Sequence, residues 1–175
     1  MRKDRKPQTP AEVTADFARV VRESTPKLYR VAACIAGSVA DAEDVLQESF
    51  LRACLSLREH RFDGTSTLQT WLYRIVVNAC LDSRRADRRR QQREERAFEW
   101  NRASDPRDEL EARAALREVA EWMDGMPLEH RVALVLKEID GRTTPEIAAV
   151  LACSEGAVEQ RLVRARAYLR DRRSE

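Results

Sequence analysis

Apolar residues recur at three- and four-residue intervals along most of this chain, the spacing an α-helix needs to press one face against a core. In D-A-E-D-V-L-Q-E-S-F-L-R-A-C-L-S-L, Leu46, Phe50, Ala53 and Leu57 fall at i, i+4, i+7 and i+11, a single stripe. Phe17, Val20/Val21, Leu28, Val31/Ala32 and Ile35 repeat the pattern upstream, and Leu72, Ile75/Val76 and Ala79 repeat it downstream. Breakers are scarce, with 5 glycines and 6 prolines in 175 residues, and Ala, Leu, Arg and Glu are good helix formers. An all-α protein follows.

The few breakers divide the chain. Residues 1–11 are charged and proline-containing, and are expected to be disordered. Glu12–Ala36 is a helical stretch that Pro26 should interrupt or bend and Gly37 should end. Asp41 can cap a second helix, running to Leu57. Phe62–Gln69 (FDGTSTLQ) is a turn-rich loop, and Thr70 can cap a third helix from Trp71 that dissolves into arginine. Residues 91–107 end in Ser104-Asp105-Pro106 and read as a flexible linker. Two small helical domains are thus predicted, over 12–90 and 108–175.

In the second domain, Leu110–Trp122 and Leu128–Ile139 read as helices, stopped by Gly125 and Gly141. Thr144-Pro145 puts proline at a first helical position, where its missing donor costs nothing. Ile147, Ala148 and Leu151 turn inward, Cys153-Ser154 forms the turn, and Ser154 caps a last helix with the core stripe Val158, Leu162, Ala165 and Leu169. A short helix, a tight turn and a capped basic helix make the helix-turn-helix pattern.

Charge supplies information only through its placement, because 32 basic residues nearly cancel 30 acidic ones. Residues 84–96 hold seven arginines against three acids, while 105–124 lean acidic. Cys34, Cys54, Cys80 and Cys153 form no C-x-x-C pair, so neither a zinc site nor a redox motif is suggested, and free thiols in a reducing cytoplasm are expected. No apolar run approaches the roughly 18–20 residues of a membrane span, and the N-terminus lacks a signal-peptide core. His60 and His130 stand in separate domains, which argues against a metal nuclease built on Asp41, Glu43, Asp44 and Glu48. No catalytic set, phosphate loop, cofactor or small-molecule substrate is implied.

With Val158, Leu162, Ala165 and Leu169 inward, Glu155, Gly156, Glu159, Gln160 and Val163 face outward. Recognition helices touch base edges through their N-terminal residues, so Glu155, Glu159 and Gln160 are candidate readers of sequence. Arg161, Arg164 and Arg166 flank that face where phosphates would lie. T-W-L-Y-R-I-V-V-N-A-C-L-D-S-R-R, with arginines following, can combine phosphate attraction with contacts to exposed bases.

Taken in order, D-A-E-D-V-L-Q-E-S-F-L-R-A, then T-W-L-Y-R-I-V-V-N-A-C-L-D-S-R-R, then E-I-D-G-R-T-T-P-E-I-A-A-V-L-A-C-S-E-G-A-V-E-Q-R-L-V-R-A-R resemble the two blocks of bacterial extracytoplasmic-function (ECF) sigma factors. The resemblance implies a region-2-like and a region-4-like domain, with core RNA polymerase and promoter DNA as partners. Asp44, Gln47 and Glu48 would dock on the β′ clamp helices, and the second domain on the β flap. The Phe62–Gln69 loop, with Phe62 and Asp63, would capture the melted non-template strand of the −10 element together with Trp71 and Asn78. Arg84, Arg85, Arg88 and Arg89 would hold its backbone. Ser154, Glu155, Glu159, Gln160, Arg161, Arg164 and Arg166 would meet the −35 element. Residues 91–107 would thread toward the RNA exit path, and an anti-sigma factor, often membrane-bound in this family, would hold the protein inactive. One departure stands out: where the family usually carries a basic residue followed by Ser, this chain has Glu159-Gln160. A carboxylate can accept from cytosine N4, so a changed −35 preference is expected.

Overall fold

The computed structural model describes residues 10–94, 121–123 and 125–173, with side chains left out at 10–15, 39, 88–94 and 173. The expectations of a disordered start, of a linker over 95–107 and of a helix from Leu110 fall outside the described residues, apart from Pro10 and Ala11 in the first helix and the end of the Leu110 helix at Trp122. The described residues form six helices, all without a strand among them. These are α1 (Pro10–Ala36), α2 (Val39–Arg58), α3 (Leu68–Glu94), α4 (Leu128–Leu134), α5 (Thr144–Leu151) and α6 (Glu155–Arg173). A π-helical turn, Val135–Ile139, continues α4.

The helix starts differ from the sequence expectation by one turn. Ser38, not Asp41, caps α2: its hydroxyl oxygen accepts the Asp41 amide at 3.0 Å. Thr67, not Thr70, does the same for α3, accepting the Thr70 amide at 3.0 Å. In both cases two capping-competent residues stand three apart, and the upstream one takes the cap while the other sits in the first turn. Pro26 does not interrupt α1. Its ring is exposed, so the helix loses one donor and keeps its buried face. Arginines extend α3 to Glu94, four residues into the stretch whose composition suggested linker.

α1, α2 and α3 pack on one another around Leu28, Val31, Ile35, Leu46, Ala53, Leu72 and Val76, all of them buried. Each leucine, isoleucine or valine among them contributes about 1.5–3 kcal/mol of burial. The second unit packs α4 and its π turn, α5 and α6 around Val132, Leu136, Ile147, Val158, Leu162 and Ala165. Both domains are therefore helical as expected, but they do not stand apart: α3 packs on α5 and α1 on the π turn, and one buried core runs through both units.

A capping box starts α5. Glu146 accepts from the Thr143 amide at 2.8 Å and from its hydroxyl at 2.7 Å. The bond from the Thr143 amide is the largest influence holding the Glu146 carboxyl below its ordinary value of 4.5. A depressed folded pKa means that this stabilisation is complete above the ordinary carboxylate range and is lost as pH falls through the folded value. Glu146→Ala is therefore expected to cost about 0.5–1 kcal/mol at pH 7, a Tm drop of roughly 1–4 °C. Most of the difference from the parent disappears in melts recorded once the pH has fallen below the depressed folded value; a gap that never narrows on acidification refutes the assignment.

Candidate functional site

Three exposed surfaces carry the residues singled out by sequence. On α2, Asp44, Gln47 and Glu48 are all exposed, opposite the buried stripe Ala42, Val45, Leu46 and Ala53. Glu48 pairs with Arg52 at 2.6 Å, an exposed i,i+4 pair of small energetic weight. The same face continues into Leu51 and Leu55, 60% and 45% exposed. Sequence reasoning passed over these two leucines; the available signal was an apolar i,i+4 pair lying off the buried stripe.

The second surface is the Phe62–Gln69 loop with the outer face of α3. Asp63 accepts from the Thr65 amide at 3.0 Å and from its hydroxyl at 2.8 Å, a local turn that orders the loop. The bond from the Thr65 amide is the main reason its carboxyl lies below the usual range. Phe62 is half-buried, its ring 5.3 Å from that of Trp71, which in turn lies 6.4 Å edge-on to Phe17. Trp71 is thus held in an aromatic row that pins the loop to α1 and α3.

Trp71, Asn78 and Arg85 stand seven apart on α3 and share a face about 20 Å long. Asn78 and Arg85 are exposed and Arg84 is half-buried, with Asp82 3.4 Å from Arg85. Arg88 and Arg89 lie on the same helix, their side chains outside those described. Tyr73 differs in kind: it is fully buried.

The third surface is the helix-turn-helix. α5 ends at Ala152, whose φ of 50° places a residue with a Cβ in the left-handed region. Ser154 then caps α6, its hydroxyl oxygen accepting the Ala157 amide at 3.2 Å. Val158, Leu162 and Ala165 are buried, and Glu155, Gly156, Glu159, Gln160 and Arg164 are exposed, as is Val163 at 65%. The arginines part company here. Arg161 is half-buried, ion-paired with Glu129 at 3.0 Å and donating to the Cys153 sulfur at 3.4 Å. Arg166 reaches Glu138 at 2.8 Å. Two of the three expected phosphate clamps thus lean on the acids of α4 and its π turn, and among the described residues Glu155 and Glu159 form no ion pair with an arginine of their own helix.

An apolar hollow of about 160 Å³ lies beside Trp122, lined also by Met123, Leu134, Val135, Ile139 and Leu169. Among the described residues no group of three His, Cys, Asp or Glu side chains is placed to hold a metal ion. No described helix is long and apolar enough to cross a membrane. The arrangement offers surfaces for binding rather than a set of groups for bond chemistry.

The Sigma-70 region 2 family model matches residues 20–90, and the Sigma-70, region 4 model matches 116–169. The ECF RNA polymerase sigma factor SigE of Mycolicibacterium smegmatis is 34% identical over 156 residues, 87% of this chain, which spans 59% of that relative's length. The ECF RNA polymerase sigma-E factor of Salmonella typhi is 34% identical over 150 residues, covering 79% of this chain and 78% of the relative. Among solved structures, CnrH in complex with the cytosolic domain of CnrY superposes with a TM-score of 0.68 at 30% identity, over 93% of this chain and 90% of that one. The sigma factor RpoE in complex with the anti-sigma factor NepR from Bartonella quintana shares the fold, with a TM-score of 0.69 at 24% identity over 89% of this chain and 95% of that one.

Proposed function

The chain belongs to the ECF sigma factors of bacterial RNA polymerase, and we propose that it directs core polymerase to promoters by reading two DNA elements with its two helical units. Sigma factors are initiation factors, not enzymes, and the chemistry belongs to the polymerase they join. What supports the reading most is one coexistence: an exposed acidic helix face in the first unit and an exposed helix-turn-helix face in the second. A free-standing helix-turn-helix regulator would have no use for the former.

In this reading Asp44, Gln47 and Glu48 dock on the β′ clamp helices, and the second unit meets the β flap. The loop with Phe62 and Asp63, together with Trp71 and Asn78, receives the melted −10 strand, while Arg84, Arg85, Arg88 and Arg89 attract its phosphates. Asp63 contributes by ordering the loop. Residues 91–107 thread toward the RNA exit path. At the −35 element Ser154 and Arg164 lie where phosphates run, and Glu155, Glu159 and Gln160 face the bases. Arg161 and Arg166 hold α6 at its angle through Glu129 and Glu138, and reach phosphates only by releasing them. An anti-sigma factor restrains the protein until it is needed; CnrH, solved in complex with the cytosolic domain of CnrY, is the support for such a partner.

Reversing Asp44 and Glu48 together to Lys is expected to weaken core-polymerase binding at least about tenfold, a change of roughly 1.4 kcal/mol, with helical content unchanged. Gel filtration with core polymerase reads this directly, and undiminished co-migration removes the docking assignment. Asn78→Ala is expected to reduce permanganate reactivity of −10 thymines about fivefold, the loss of one hydrogen bond, while duplex binding moves less than about twofold. Equal losses in both assays count against strand capture. Glu159→Ala is expected to erase a preference for cytosine at one −35 position, worth about 1–3 kcal/mol. Uniformly tighter binding to every sequence instead would make Glu159 only a repulsive neighbour of the backbone.

A further inference from the structure

Among the described residues four large hydrophobic side chains are exposed: Leu51, Leu55, Trp122 and Val163. Leu51 and Leu55 stand one turn apart on α2, and Trp122 borders the apolar hollow, so each of these has apolar company. Val163 is placed differently. It is 65% exposed on α6, turned away from the buried Val158, Leu162 and Ala165. One turn to either side of it stand Glu159, Gln160 and Arg166, all exposed. A lone exposed valine is ordinary in itself. A β-branched side chain is, however, a poorer helix former than the Ala, Lys or Glu that solvent-facing positions favour, and burial compensates for little of that here.

A second residue of the same face has a cost without an internal use. Gly156 lies in the first turn of α6 and is not among the glycines with positive φ, so its backbone is one that any residue adopts. In such a position glycine weakens a helix relative to alanine. A Cβ built on it meets nothing within 4 Å, so internal packing does not call for glycine either. The remaining use of a missing side chain is the close approach of a ligand to the backbone. At about 100° per residue, Gly156, Glu159, Gln160 and Val163 share an arc of about 100°, with Gly156 and Val163 two turns, or about 10 Å, apart along the axis. The arc is bare at one end, rich in hydrogen-bonding groups in the middle and apolar at the other. Arg164 is exposed at its edge.

We propose that Val163 is a specificity-determining residue: its methyl groups lie against the C5 methyl of a thymine in the −35 element, and Gly156 is where the backbone of α6 closes on the duplex so that a side chain this short can reach. The inference rests on the reading of α6 as the helix that enters the −35 major groove. That groove admits an α-helix and presents, beside its donors and acceptors, one apolar group, the thymine methyl. A protein partner would need an apolar patch to grip, and among the described residues no second large apolar side chain is exposed on this face. Val163 reads what its neighbours do not. Uracil offers the same donors and acceptors as thymine, so Glu159 and Gln160 cannot tell the two apart by hydrogen bonds, whereas a valine can.

The test uses holoenzyme assembled from bacterial core polymerase and the full chain. A −35 duplex is selected from a randomised pool, and each of its thymines is then replaced singly by deoxyuridine. One replacement is expected to weaken binding about fourfold, the effect of burying one methyl group, with the others nearly silent. Val163→Ala is expected to lose about the same factor on the thymine duplex and to be indifferent to that one deoxyuridine, the non-additivity of two groups in contact. Val163→Ile keeps the preference. Thermal melts are expected to show Val163→Ala no less stable than the parent and Gly156→Ala more stable, while Gly156→Ala holoenzyme binds every duplex more weakly. A selected element without an A·T pair overturns the proposal, as does a parent indifferent to every deoxyuridine. So do a deoxyuridine penalty that persists undiminished in Val163→Ala and a Gly156→Ala holoenzyme that binds like the parent. Holoenzyme that selects no −35 sequence at all overturns the promoter reading as well, whereas a selected sequence whose methyl groups are uncoupled from Val163 overturns this inference alone.

Discussion

A guanidinium with no water around it ties this molecule together. Arg131 belongs to the core of the second unit and satisfies a carbonyl at the end of the first helix, so neither unit can move without exposing an unsatisfied group in the other. Apolar burial supplies most of the favourable free energy of folding, but it is non-directional. The polar contacts of the seam select one docking of the units from the many that apolar contact alone would allow.

The helical architecture was largely legible in the sequence because each stripe is local. Leu46 and Ala53, or Val158, Leu162 and Ala165, announce their shared burial within a dozen residues of one another, and the structure buries them. The caps were legible in kind but not in place: Ser38 with Asp41, and Thr67 with Thr70, are equivalent candidates until the first turn is built. The seam was not legible at all. Tyr73 and Asp140 are 67 positions apart, Cys34 and Arg131 are 97, and nothing in the spacing of either pair points to the other. The family resemblance supplied the two units and their order, and left their contact open.

The candidate surfaces divide along the same line. Exposure of Asp44, Gln47, Glu48, Asn78, Glu159 and Gln160 follows from helical phase, and phase is a sequence property. The fate of the arginines does not follow from it. Arg161 and Arg166 lie on α6 where phase allows phosphate contact, yet acids on α4 and the π turn, 32 and 28 positions away, claim them. Two carboxylates near the start of α6 are easier to understand once those arginines are accounted for. They belong to a face beside which two arginines, Arg161 and Arg166, are held by the scaffold, and their carboxylates stay exposed.

The π turn at Val135–Ile139 has a bearing on how this chain can vary in length. There the Asp140 amide reaches back five residues to the Val135 carbonyl, at 3.2 Å, and the Arg142 amide reaches six, to Leu136 at 3.0 Å. Such a turn holds one residue more than an α-helical turn. Removing one residue between 135 and 139 would restore ordinary helix and leave Asp140 close to its present phase, because the wide turn already absorbs the extra residue. A segment that reads as unremarkable helix thus carries one residue it can lose while keeping the aim of Asp140, whereas a deletion in the regular turns of α4 would rotate everything beyond it by about 100°.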